Sequence, residues 1–213
     1  MEASLAWHAF QRSMAEANAW IDDKLVIARS DEVVEDLDSC GRMVNEHRVI
    51  DDQIAAQWEQ KFEKEQLATA AKLIAEGQAE AAAINLLTTD LTERYAELTE
   101  ASHSRLVLLE DVRKTAKFLV DSADSLEWIR NQRASIASQD GGADESSTEL
   151  AITVHAGVAS NVEGHAMIVK QLAEEGKALI ESRHAKCEVS TAILTRLQQR
   201  TRALLIRSLG CIL

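Results

Sequence analysis

The sequence predicts an all-α protein, two tandem three-helix antiparallel coiled-coil bundles joined by a continuous linker helix, and three observations carry that prediction. No residue of the 213 is proline and only eight are glycine, so few residues interrupt a helix. The stretch from Gln78 to Asp140 contains neither. Ile84, Leu87, Leu91, Tyr95, Leu98, Ser102, Arg105, Leu109, Val112 and Ala116 mark one seam through it at steps of three and four, the period of a single helical face. Unbroken, that helix is about 90 Å long at 1.5 Å per residue, too long for one packing unit and long enough to serve two. The third observation is an internal repeat. Phe10, Trp20 and Ile21 return as Phe118, Trp128 and Ile129, and Leu73, Leu87, Leu91 and Leu98 return as Leu179, Ile193, Leu197 and Leu204, which indicates two units of about 106 residues.

Each element follows from the same spacing. From Ser4 to about Arg29, Phe10, Met14, Ala17, Ile21 and Ala28 form one apolar face with Trp20 beside it, an amphipathic helix. Ser30 and Asp31 offer capping side chains, so the first break is expected at residues 29 to 32. A second helix follows through Leu37, Cys40, Val44, His47, Ile54 and Trp58 and continues past Phe62 and Leu67 to Leu73 and Ile74. Gly77 ends it, because glycine adopts the left-handed conformation that terminates helices. Short turns then force an up, down, up order. The long helix closes the first unit near Leu109 and opens the second near Phe118, with Arg105, Leu109, Val112 and Ala116 as the linker; the units are taken as residues 1–112 and 113–213. Residues 138–147 read as a polar, glycine-containing loop. A fifth helix runs through Leu150, Val154, Val158, Val162, His165, Ile168, Leu172 and Leu179, with Gly157, Gly164 and Gly176 inside it at about 1 kcal/mol each relative to alanine. The sixth begins near Ala185 and carries Val189, Ile193, Leu197 and Leu204.

Taken together, these residues resemble the spectrin repeat. The resemblance is carried by Phe10 to Trp20-Ile21, Asp36-Leu37, His47, Leu73 to Gly77, Ile84, Leu91, Leu98, Arg105 and Leu109-Glu110, then by Phe118 to Trp128-Ile129. It covers nearly the whole chain. The second unit departs from it at Thr201, where the family usually places an aromatic and the first unit has Tyr95. Trp20 and Trp128 are expected to anchor the two cores, since each buries about 150–250 Å². Trp58 and Phe62 read first as core or rim packing and second as a candidate partner surface, and the loop residues Asp140, Asp144 and Glu145 mark a further candidate surface.

Chemistry leaves fewer traces. A net charge of −12 argues against nucleic acid or anionic lipid, because phosphate binding needs a clustered positive field. Cys40, Cys187 and Cys211 are odd in number and contain no Cys-x-x-Cys pair, so neither a disulfide framework nor a zinc site is indicated and a reducing cytosol fits. No run approaches the 18 apolar residues of a membrane span. His47 and His165 lie on seams, while His8, His103, His155 and His184 are scattered, with no His-Glu-x-x-His among them. Glu174-Glu175-Gly176-Lys177 lacks the upstream glycine and following hydroxyl of a phosphate loop. No catalytic residue, metal or cofactor is expected, and no enzyme.

What the resemblance implies is a spacer and scaffold segment of a cytoskeletal, actin-associated protein, from spectrin first and the actinin, plakin and dystrophin relatives next. It would be an elastic rod that sets distance and presents surface to protein partners in the cytoplasm or the membrane-associated cortex. Two alternatives stand beside it: an acidic docking module for a basic adaptor domain, such as an ankyrin-type membrane adaptor, and a segment for lateral pairing with another rod. Because the chain begins and ends at unit borders, it is expected to be a pair of repeats from a longer protein.

Overall fold

A computed structural model of the chain describes residues 2–77, 79–137, 145–181 and 187–210. The regular structure among them is helical throughout: α1 Glu2–Ala28, α2 Leu37–Gln57, a π-helical segment Trp58–Leu67, α3 Ala68–Ala75, α4 Ala81–Ala137, α5 Glu145–Glu181 and α6 Cys187–Gly210. The chain divides into two compact units, Met1–Arg113 and Lys114–Leu213. One helix, α4, supplies residues to both.

In the first unit, α1 buries Phe10, Met14, Ala17, Ile21, Leu25 and Ala28, the face that its three-four spacing presents. The break after it is longer than expected and is capped by a different residue. Helix α2 starts at Leu37, and Asp36, in extended conformation (φ −73°, ψ 131°), is its N-cap. The Asp36 carboxylate accepts the Ser39 N–H at 2.9 Å, and this bond holds its carboxyl below the usual aspartate range. Ser30 instead accepts the N–H of Glu32 at 3.3 Å. A cap must directly precede the first helical residue to reach the free N–H groups of the first turn, and Ser30 and Asp31 are too far upstream. At the other end Gly77 has φ 75° and donates its N–H to the Ile74 carbonyl at 3.1 Å, a left-handed helix stop.

Between Gln57 and Ala68 the helix widens, and the apolar spacing explains why. Ile54, Phe62, Gln66 and Ala70 are buried and Trp58 is half-buried, so the inward face advances by four residues four times in succession. In an α-helix of 3.6 residues per turn this face would drift around the axis. A π-helical ladder, closed i→i+5, has more residues per turn and keeps the seam pointed inward. α4 completes this core with Ile84, Leu91 and Leu98, and Leu87, Tyr95, Trp20 and Ile50 pack around it. Leu37, at the start of α2, is only half-buried.

The second unit is built on the same plan with less apolar material. Its core is divided into Phe118 with Leu172 and Leu179, and Ile129, Ile136, Val162, Val169, Leu197 and Leu204. Ile193 is half-buried and packs against both groups. Small hydroxyl residues, Ser122, Ser125, Ser190 and Thr201, occupy further buried positions. Among the described residues the hydroxyls of Ser122, Ser190 and Thr201 have no hydrogen-bond partner, and each such group loses hydration without recompense. Helix α5 starts at Glu145, so residues 145–147 are helical and the expected loop is shorter; 138–144 lie outside the described residues. Helix α6 starts at Cys187, two residues after the expected Ala185.

The three glycines of α5 are not equivalent. A Cβ on Gly157 or Gly164 would meet open space, whereas on Gly176 it would stand 3.0 Å from two ring atoms of Phe118, itself 1% exposed. Gly164→Ala is therefore expected to stabilise the chain by about 0.5–1 kcal/mol. Gly176→Ala is expected to destabilise it, because overpacking of about 1–3 kcal/mol exceeds the gain in helix propensity. Urea unfolding of the two variants checks the opposite signs.

Candidate functional site

Two polar clusters and one aromatic cluster stand out from the helical background. In the first unit, His47 from α2 is 3% exposed and its Nε2 lies 2.9 Å from the Ser102 carbonyl oxygen of α4. The Ser102 hydroxyl is 3.1 Å from the same nitrogen and donates to the Asp51 carboxylate. Asp51 sits one turn after His47, 3.9 Å from Nε2. Serine, histidine and aspartate thus meet beside a shallow groove of about 180 Å³ that Tyr95 and Thr99 also line.

The arrangement is not that of a hydrolytic triad. There, one imidazole nitrogen takes the serine proton and the carboxylate orients the ring through the other. Here the carbonyl of Ser102 requires Nε2 to carry a hydrogen, a tautomer assigned from the bonding network. That nitrogen cannot accept the serine proton, and the hydroxyl already donates to Asp51. The group joins α2 to α4: the His47 ring, the Ser102 hydroxyl and the Asp51 carboxylate satisfy one another across the seam. Arg105, one turn further along α4 and 6% exposed, extends the same role by donating to the Glu32 carbonyl. Burial pushes its guanidinium down from the ordinary arginine value, and the charges of Asp31 and Glu32 oppose that shift.

The aromatic cluster lies at the π-helical segment. Trp58 stacks on Tyr95 (ring centroids 4.0 Å apart, planes at 20°) and meets the edge of Phe62 at 6.2 Å. Trp20 meets Phe62 edge-on at 5.6 Å. Burial raises the Tyr95 phenol above its ordinary value. The expectation of a partner surface at Phe62 is corrected: its side chain is fully buried, because the widened turn rotates it under Trp20. Trp58 is half-buried against Tyr95. Asp140 and Asp144 lie outside the described residues, and Glu145 is the first residue of α5, with its side chain outside them.

In the second unit Trp128 stacks on His165 (3.8 Å, 16°), and the Ser125 hydroxyl lies 2.8 Å from His165 Nε2. Burial pushes the His165 imidazole below its ordinary value of 6.5. The unfolded chain then takes up a proton more readily than the folded one, so the stabilisation is complete above about pH 6.5 and is lost as pH falls through and below that value. With the intrinsic pH dependence of amide exchange divided out, the protection of α5 and α6 is expected to fall as pH drops below about 6.5, and His165→Gln should flatten that dependence.

The other seam residues lie as follows. Phe10, Ile21, Ile54, Leu73, Ile84, Leu91, Leu98, Leu109, Ala116, Phe118, Ile129, Leu172, Leu179, Leu197 and Leu204 are buried. Trp20, Trp128 and Val112 are half-buried, the two tryptophans because rings of that size rarely disappear entirely. Sequence reasoning missed the His47–Asp51–Ser102 and Trp128–His165 contacts. Their trace in the chain is a polar residue at a seam position: His47, Ser102 and His165. Among the described residues no group of three His, Cys, Asp or Glu side chains could hold a metal ion, and no helix is long and apolar enough to cross a membrane.

Comparison with known proteins places the two units. The family model described as spectrin repeat matches residues 5–111 and 113–209. The chain is similar to a spectrin beta chain of Drosophila melanogaster, 26% identical over 180 residues, which is 78% of this chain and 7% of that protein. It is also similar to the human spectrin beta chain, non-erythrocytic 4, 25% identical over 186 residues, 87% of this chain and 7% of the relative. The erythrocytic spectrin beta chain of Mus musculus is 20% identical over 188 residues, 88% of this chain and 9% of the relative. The chain spans less than a tenth of the length of these relatives.

Proposed function

The chain belongs to the spectrin-repeat family, and from that premise we propose that it serves as an elastic helical spacer in a cytoskeletal protein of the cytoplasm or membrane cortex, setting distance and presenting surface to protein partners. The observation that carries this reading is α4. It runs without interruption from Ala81 to Ala137 and holds core residues of both units, Leu91 and Leu98 in one and Phe118 and Ile129 in the other. A helix shared in this way couples the stability of neighbouring repeats, and each bundle lengthens the chain when it opens.

Single-molecule stretching of the full chain tests the proposal. Unfolding is expected in discrete steps of about 330–360 Å of contour length per unit, from about 3.3–3.6 Å per extended residue. Some pulls should release both units in one step of twice that length. Steps of one unit only, in every pull, would remove the coupling on which the proposal rests.

A second reading, docking of a basic adaptor domain, is favoured by one observation. The first unit carries 23 Asp and Glu against 11 Lys and Arg, while the second carries 12 against 12. The whole formal charge of −12 therefore belongs to the first unit, which presents a negative field to a basic partner.

A further inference from the structure

The second unit, neutral in sum, is not neutral everywhere. From Trp128 to Ala137 α4 carries Arg130 and Arg133 and no carboxylate. Along α6, Arg196, Arg200, Arg202 and Arg207 face a single acid, Glu188. The structure brings three of these arginines, Arg130 and Arg133 from α4 and Arg200 from α6, to one open groove of about 230 Å³ with Ile129, Ala134 and Ala137. Three arginines of the first unit differ: Arg29, Arg48 and Arg94 each hold a carboxylate, of Glu97, Glu110 and Asp22. Among the described residues Arg130, Arg133 and Arg200 hold none. Among the described residues no acid stands between these three guanidinium groups, which repel one another, and an entering anion relieves that repulsion.

We propose that this groove docks an acidic amphipathic helix of a partner protein, with carboxylates between the arginines and an apolar side chain on Ala134 and Ala137. Guanidinium favours this partner because its planar fork pairs carboxylates bidentately. The alanines favour it because their small side chains leave room for an apolar residue beside the charges, the pattern of helix-in-groove recognition. An anionic bilayer fits less well. A bilayer offers diffuse phosphate charge, whereas an acidic helix offers planar carboxylates at the spacing of the guanidinium groups.

The test uses the full chain and a fluorescent helical peptide carrying glutamates at i, i+3, i+4 and i+7 around a central leucine, followed by anisotropy at about 0.15 M salt. Saturable binding is expected, weakened at least about tenfold by Arg133→Glu with Arg200→Glu, and weakened by the neutral pair Arg133→Gln with Arg200→Gln. Arg12→Glu, at an exposed arginine of the first unit, should leave it unchanged. Circular dichroism confirms that each variant is folded. The proposal is overturned if no saturable binding occurs, or if the arginine variants bind as tightly as the parent. It is overturned equally if replacing the peptide leucine with serine changes nothing, since charge alone then suffices. Arginine-dependent binding to phosphatidylserine vesicles in preference to the peptide, or arginine-dependent dimerisation in sedimentation, would assign the groove to another occupant.

Discussion

Phe62→Ala is expected to destabilise the first unit by about 3–5 kcal/mol, the range for removing a buried phenyl group. The upper part of that range applies here for a geometric reason. Phe62 is fully buried, with the edges of Trp20 and Trp58 against it at 5.6 and 6.2 Å, and Trp58 is held in turn by its stack on Tyr95. The cavity left by alanine would be walled by rings from α1 and the π-helical segment. Planar rings fixed by one another cannot relax into the space as aliphatic chains do, and the cost grows with the residual volume. Trp58→Ala, at a half-buried position, should cost less. Urea unfolding monitored by circular dichroism at α-helical wavelengths measures both. A Phe62→Ala midpoint equal to that of the parent would mean that the ring is surface, as the sequence alone allowed.

That residue also marks where the sequence stops being legible. The seams of α1, α4, α5 and α6 could be read because an apolar face repeats every three to four residues whether or not its partner is known. The stop at Gly77 was legible for a similar reason: one residue determines it. The π-helical segment was not recognised, although its trace is in the chain as the fourfold step from Ile54 to Ala70. That spacing was taken for an ordinary seam. The direction of Phe62 depends on the wider turn, so the spacing alone leaves its ring open between core and partner surface. The cap was misplaced because Ser30, Asp31 and Asp36 all have capping side chains, and only the backbone at Asp36 decides among them.

The contacts that join helices were out of reach for a different reason. His47 and Ser102 are separated by 55 residues, and no local pattern pairs them. The same holds for Arg130 and Arg133 with Arg200: each is unremarkable in its own helix, and the cluster exists only once α4 and α6 lie side by side. Net charge concealed it further, since a total of −12 suggests a uniformly acidic surface. Separated by unit, the same residues describe one acidic bundle and one neutral bundle with a basic groove.

Ala116→Pro should have the second large effect, and it bears directly on function. Residue 116 lies deep inside α4 (Ala81–Ala137) and is 5% exposed. Proline there removes the amide bond to Val112 and drives its ring against that carbonyl, at about 3 kcal/mol or more in a helix interior. Heat should then unfold the two units in separate transitions where the parent shows one shared transition. The second unit is expected to melt first, because its apolar core is divided whereas that of the first is a single cluster. Ala116→Gly provides the graded control: it weakens the helix by about 1 kcal/mol without removing a hydrogen bond, so it should broaden the transition without dividing it. Differential scanning calorimetry distinguishes these outcomes. A proline variant that still melts in a single transition would show that the coupling does not pass through α4, since neither core loses a large side chain in this substitution. Separate melting would mean that α4 transmits stability from one bundle to the next, which is the property that makes a pair of repeats a spacer and not two independent beads.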